Sequence, residues 1–258
     1  MVELTREQVA ALRDWLGPER PGPLVAQHVA NTGHGACHAD RWPGPRAVLA
    51  SCGGNHALAG DPVALRGSGL LDGLTGFVDA PKPFAPLLGE TFGDVKTWGR
   101  VILALDGPPE PVRARGDHPV RRLGPADAGG LGALGDETSW ISASWGGPAG
   151  LAASGTAWGA LDGARLVAVA CPFFVGWRFE DVGVATEPDA RGLGLSAACA
   201  AAVCADVRAR GRTPSWTTSH DNLASLRVAE KLGFARHRED HLLVIGVPIP
   251  EVARPPAG

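Results

Sequence analysis

The sequence predicts a mixed α/β (α+β) fold. Two observations carry that expectation: short apolar runs with strand character alternate with segments whose apolar residues recur at helical spacing, and Gly, Pro and Asp-Gly signals separate them. The first element is a helix over about 5–16, opened by a capping box from Thr5 to Gln8. Strands follow at RAVLASC (46–52) and HALAG (56–60), then a strand, a helix and a strand in LTGFVDAP, KPFAPLLGETFGD and VKTWGRVILAL. The segment 104–119, ALDGPPEPVRARGDHP, is rich in Pro, Gly and charge and reads as a linker. A boundary near residue 117 divides the chain into parts 1–117 and 118–258.

Beyond the linker, PVRRL reads as a strand and PADAGGLGALG as a weak, glycine-rich helix. TAWGALDGARLVAVACPFFV is a hairpin turning at Asp162-Gly163. RFEDVGVAT is a strand, and a helix is expected from about Leu195 to Arg210. TPSWTTS is a strand, NLASLRVAEKL a helix closed by Gly233, and HLLVIGV a final strand.

At 258 residues the chain suits one large domain or two small ones, and 45% apolar residues supply a real core. A formal net charge of -3 argues against nucleic-acid or anionic-membrane partners. The longest apolar runs, such as LVAVACPFFV, fall far short of the ~20 residues a membrane helix needs. The charged N-terminus is not a signal peptide, and five scattered cysteines without CxxC read as reduced, buried thiols. A cytoplasmic location follows.

The stretch with most chemical content is EPDARGLGLS, ahead of an alanine-rich helix. Arg191, Gly192, Leu193, Gly194, Leu195 and Ser196 lie between a strand ending near Thr186 and that helix. Glycines let the main chain come close to a ligand. The first helical turn leaves amides unpaired at the positive end of the dipole, which suits a phosphate or diphosphate, and Arg191 adds a cation. No G-K-[ST] follows, so a Walker-type loop is excluded. Gly192, Gly194 and Ala197 formally spell a dinucleotide fingerprint, with Asp221 as a following acid. A doubly wound fold, however, needs more βα units than the fewer than 40 residues after Asp221 supply. A tight turn without a ligand is the remaining alternative.

Two motifs together point further. TEPDARGLGLS resembles the V-x-P-x-x-[QR]-G-x-G-x-[GA] loop of the GNAT superfamily of N-acetyltransferases. Pro188, Arg191, Gly192 and Gly194 match; Thr186 stands for the Val and Ser196 for the last small residue. DNLASLRVAEKLGF resembles the family's N-x-x-[AS]-x-x-x-Y-x-K-x-G-F through Asn222, Ser225, Lys231, Gly233 and Phe234. The likeness covers about residues 118–248, and VRRLGPADAGGLGAL is similar to the family's opening strand and helix. It implies a mostly antiparallel mixed sheet flanked by helices, with acetyl-CoA as co-substrate. By the same resemblance, the amides of Gly192 to Ser196 would hold the diphosphate. Main-chain groups of Val184, Ala185 and Thr186 would pair with the pantetheine arm, and Asn222 and Ser225 would lie beside the thioester. The N-terminal part would be a smaller α/β domain that shapes the acceptor pocket, with a degenerate half of the same fold as one reading of it.

Direct acetyl transfer needs a base for the ammonium, donors for the oxyanion and a proton for the thiolate. Glu180 and Asp181 are the candidate bases. Side chains alternate along a strand, so the two face opposite sides and only one of them can see the ligand; Glu180 is the first expectation, Asp181 the second, and a purely structural pair the third. The family's usual acid is the tyrosine of the second motif. Here Ala229 holds that position, and the chain has no tyrosine. His220 and Ser225 are within sequence reach as replacements; loss of activity, leaving an acyl-CoA-binding or regulatory module, is the rival reading. The expected acceptor is a small-molecule primary amine, an antibiotic among the options, and a homodimer is left open. His34, Cys37 and His38 have partial metal-ligand spacing, but two glycines interrupt it and no third ligand is evident, so no metal is expected.

Overall fold

A computed structural model describes residues 2–251. Its described strands form one twelve-stranded sheet. The first half of the chain supplies β1 (Val2–Glu3), β2 (Ala36–Ala39), β3 (Ala47–Cys52), β4 (Asn55–Gly60), β5 (Gly76–Asp79) and β6 (Val95–Ala104). The second half supplies β7 (Val120–Arg122), β8 (Trp158–Asp162), β9 (Arg165–Val175), β10 (Phe179–Thr186), β11 (Thr213–Thr218) and β12 (Ala235–Ile245). The helices are α1 (Arg6–Ala11), α2 (Val25–Thr32), α3 (Ala85–Phe92), α4 (Ala128–Gly132), α5 (Pro148–Ser154), α6 (Leu195–Ala209) and α7 (Leu223–Lys231). Among the described residues, no helix is long and apolar enough to cross a membrane.

The mixed, mostly antiparallel sheet expected from the sequence is present. Its strand order is β1-β2-β3-β4-β5-β12-β6-β11-β10-β9-β8-β7. Adding six to each strand number in the first half gives the order of the second half read from the opposite edge. Among the described residues the parallel pairs are β4 with β5 and β10 with β11, and they occupy equivalent places. At the centre, the last strand of each half crosses into the other. β6 lies between β12 and β11, and β12 lies between β5 and β6. Residue 117 lies in the connection between β6 and β7. The backbone hydrogen bonds of β6 and β12 are satisfied only across the halves.

Two helical layers cover the sheet. On one face, α6 and α7 pack on Val101, Leu103, Val182 and Trp216, while α3 packs on Leu243 and Ile245. On the other face, α1 and α2 cover β2–β4 through Val9, Val25 and Val29. There α4, α5 and the 3-10 turns at Ser139–Trp145 cover β9 through Leu131, Ile141, Trp145 and Leu151. The middle strands of this second face lie between those two groups and form the floor of a gorge. Buried polar anchors tie its walls together. The Glu19 carboxylate accepts the backbone N–H groups of Trp177, Arg178 and Phe179 at 2.7–2.8 Å. His28 accepts the Val175 N–H on Nδ1 (3.1 Å), so its Nε2–H donates to Ser144 O (2.8 Å). Burial holds that imidazole down at about 4, neutral at physiological pH.

The helix expected over 5–16 stops at Ala11, although its capping box is formed as expected. Helices α2 and α5 and strand β2 were not anticipated. α5 begins on Pro148 and is short and small-residue-rich, so its sequence carries little periodic signal. β2 takes Cys37 and His38 into a strand paired with β3, so His34 and His38 do not share a helical face. Among the described residues, no group of three metal-ligating side chains converges.

Candidate active site

The site begins where a ladder ends. β10 and β11 pair in parallel only from Phe179 to Asp181 and from Thr213 to Ser215. Beyond that point β10 stays bonded to β9 as far as Thr186. The edges of Val182–Thr186 and Trp216–Thr218 then diverge, leaving the main chain of Val184, Ala185 and Thr186 facing an open cleft.

At the far end of that cleft the chain turns through Pro188–Ala190 into the glycine loop. Gly192 and Gly194 both have left-handed φ, at 81° and 79°, which only glycine adopts cheaply. Gly194 is the N-cap of α6 and no side chain caps the helix. Among the described residues, no protein acceptor takes the amides of Gly192 to Ala197. Ser196 does not fill the gap: its hydroxyl bonds Thr186 Oγ1 at 2.6 Å, which fastens the end of β10 to the first turn of α6. These amides therefore form a row of donors without a protein acceptor among the described residues. Arg191 differs from expectation. It is exposed and its Nη2 bonds Glu137 Oε2 at 2.5 Å, so its charge is already partnered. The main chain of two arginines that sequence reasoning missed runs beside the loop. Arg115 donates its backbone N–H to Leu193 O (2.8 Å), and Arg113 O sits 3.6 Å from where a Gly194 side chain would start. Both belong to the segment read as linker, and nothing local in it announces a contact 80 residues away.

The two candidate bases part company, as strand alternation requires. Glu180 faces the α6 side, 1% exposed, and both its oxygens are occupied. Arg210 reaches it at 3.1 and 2.6 Å and Arg212 at 2.8 Å. Glu180 is an ion-paired anchor joining the start of β10 to the end of α6, with no lone pair facing the cleft. Asp181 points to the gorge face. It sits at a β-bulge, where pairing with β9 slips between Asp181 and Val182; such bulges re-aim side chains. Its Oδ1 accepts from Ser215 Oγ (2.8 Å) and Thr217 Oγ1 (3.0 Å). No described residue bonds its Oδ2. Burial raises its carboxyl to about 6, against the opposing pull of those two hydroxyls and of the Arg100 and Arg238 cations.

The second motif forms α7. Asn222 is its N-cap, its side chain accepting from Ser225 N at 3.1 Å. Ser225 Oγ accepts the indole N–H of Trp216 (2.9 Å), which leaves the hydroxyl proton free to be donated onward. Ala229, at the tyrosine position, is fully buried in the core under α7. His220 is exposed in the turn before α7 and lies over Gly99 of β6, its Cδ2 3.2 Å from an added Cβ there.

Comparison with known proteins agrees with this geometry. The family model for GNAT acetyltransferases matches residues 135–242. The chain is 43% identical over 212 residues to an uncharacterised N-acetyltransferase encoded in the mutA 5′ region of Streptomyces virginiae, covering 81% of this chain and 90% of that one. Among solved structures, a GCN5-related N-acetyltransferase-like protein from Streptococcus suis superposes with a TM-score of 0.70 at 20% identity, over 93% of this chain and 98% of its own. A tandem GNAT protein from the clavulanic acid biosynthesis pathway superposes with a TM-score of 0.55 at 13% identity, over 96% and 99%. The family uses acetyl-CoA as co-substrate. The chain belongs to the GNAT acetyltransferase family and is an acetyl-CoA-dependent acyltransferase.

Proposed function

We propose that the chain moves the acetyl group of acetyl-CoA onto the primary amine of a small molecule by direct attack. The observation that carries this reading is the placement of Asp181. It stands where the β10–β11 ladder opens, on the face opposite α6, with one oxygen free and a raised pKa. In this reading the amides of Gly192 to Ser196 hold the diphosphate, with Arg113 and Arg115 adding charge. The pantetheine arm runs along Val184–Thr186 and delivers the thioester to the gorge face.

Asp181 takes the ammonium proton, directly or through one water, and a carboxyl near 6 is a better match for that task than an ordinary one. The amine nitrogen then bonds the thioester carbon and gives up its second proton to solvent, the C–S bond breaks, and the sulfur takes a proton. Ser225, held by Trp216 with its own proton free, supplies that proton and recovers it from solvent; His220 lies further out. Five buried free cysteines, their thiols raised by burial, fit a cytoplasmic setting. We read the first half of the chain as a degenerate second copy of the fold. Its strand order supports this, while a short 3-10 turn at Pro62–Leu65 replaces the glycine loop and long helix between β4 and β5.

The test is thiol release from acetyl-CoA across a panel of primary amines, with coenzyme binding followed separately by thermal shift. Acetylation of at least one amine, abolished in Asp181→Asn, is the expected result. Coenzyme binding with no acetylated amine would leave the non-catalytic acyl-CoA-binding reading standing instead.

A further inference from the structure

Arg100 is a half-buried cation with no direct ion-pair partner among the described residues; Asp181 and Asp221 act on it only from beyond salt-bridge distance. Asp181 pairs with Ser215, and Ser215 with Ala104 of β6, so these three share the gorge face. Alternation along β6 brings Ile102, Arg100 and Trp98 to that face as well. The guanidinium carbon of Arg100 lies 4.0 Å from the Trp98 ring centroid, and its Nη2 donates to Thr217 O at 3.1 Å. Among the described residues, its Nε is shielded from solvent with no hydrogen-bond partner, and no carboxylate stands within salt-bridge distance. The nearest cross-strand carboxylate, Asp240, is taken by Arg238 Nε at 3.0 Å and by the backbone N–H of His241 at 2.9 Å. Burial lowers the Arg100 pKa to about 10, so it remains charged at neutral pH. A buried charge paired only at longer range is incompletely compensated, and a ligand anion in direct contact would offset the remainder.

The coenzyme's phosphates are an unsuitable source. The loop that would hold them opens α6, which packs on Val101 and Leu103 on the sheet face opposite the one Arg100 occupies. The acceptor is the remaining candidate. Asp181 and Arg100 both bond to Thr217, one to its hydroxyl and the other to its carbonyl, which places an anion and a cation on either side of a single residue. Resting on the transferase reading above, we propose that Arg100 is an acceptor-binding residue that holds a carboxylate, and that the acceptors are small primary amines carrying one, of the amino-acid class. The planar fork of the guanidinium, braced on Trp98, suits a carboxylate better than a lysine would. The carboxylate fixes the molecule while its ammonium meets Asp181 Oδ2.

The experiment compares matched acceptors with wild-type protein: amino acids of increasing amine–carboxylate spacing, against their carboxamides and the corresponding simple amines. The expected result is a preference for the carboxylated member of about 30-fold or more in kcat/KM, the scale at which a buried charge pair is lost, carried by KM. In Arg100→Gln that preference collapses, and in Arg100→Lys part of it returns. The wild-type comparison needs no variant, so a poorly folding substitution does not shield the proposal. Equal use of both members of each pair overturns the carboxylate assignment while leaving the transferase intact. So does a uniform fall in kcat on every amine in Arg100→Gln, which would place Arg100 on the thioester oxygen. Failure to acetylate any amine while coenzyme still binds would instead remove the transferase reading, and this proposal with it.

Discussion

Replacing Asp181 with Asn should make the protein more stable and inactive at once. The carboxyl is 7% exposed and titrates at about 6, against an ordinary 3.8. At ~1.36 kcal/mol per pH unit that difference is about 3 kcal/mol. The sign follows from linkage. Below pH ~4 the group is protonated in both folded and unfolded chains and costs nothing. As pH rises through about 6, the unfolded chain gains more from ionisation, and the folded state loses that amount. Asparagine should escape the loss without breaking the local contacts, because Ser215 and Thr217 both donate to Oδ1, which an amide oxygen can replace. The stability difference between Asp181→Asn and wild type should therefore be near zero at pH 4 and approach ~3 kcal/mol at pH 8. In a chain of this size that is a rise in melting temperature of up to roughly 10 °C. Asp79, whose carboxyl is also raised to about 6, is present in both proteins and cancels. Acetyl transfer should fall by about 10²–10⁴-fold, the usual contribution of a positioned base, and the wild-type rate should climb with pH through about 6. Melting curves across pH with thiol-release rates on the same samples check both halves. A variant that melts lower than wild type at pH 8, or that turns over at the wild-type rate, would refute the reasoning.

Three further outcomes follow from the same geometry. Glu180→Gln should behave in the opposite way, costing roughly 1–3 kcal/mol in urea unfolding because Arg210 and Arg212 lose a buried partner, while the folded fraction keeps its activity. Ser225→Ala should lower kcat about 10-fold through the missing proton donor and cost about 1 kcal/mol for the stranded Trp216 N–H, read by steady-state kinetics and thermal melts. Joint replacement of Arg113 and Arg115 by Ala should weaken CoA binding several-fold in calorimetry, and the deficit should shrink at high salt as exposed charges are screened.

What the sequence determined by itself is what local chemistry dictates. Gly192 and Gly194 had to be glycine for the left-handed turn, Thr5 with Gln8 and Asn222 with Ser225 announced two helix starts, and Gly233 announced an end. These signals act within a few residues, so they survive without tertiary context. Alternation also guaranteed that Glu180 and Asp181 part sides. Only the tertiary structure decided which side was which, because a period of two marks two faces without saying which one lies over a helix and which over a gorge. The exchange of β6 and β12 between halves, and the meeting of Arg100 with Asp181 over Thr217, were equally hidden. Strand pairing over more than a hundred residues leaves no local mark, since any edge with matching hydrogen bonds and apolar faces could have taken the place.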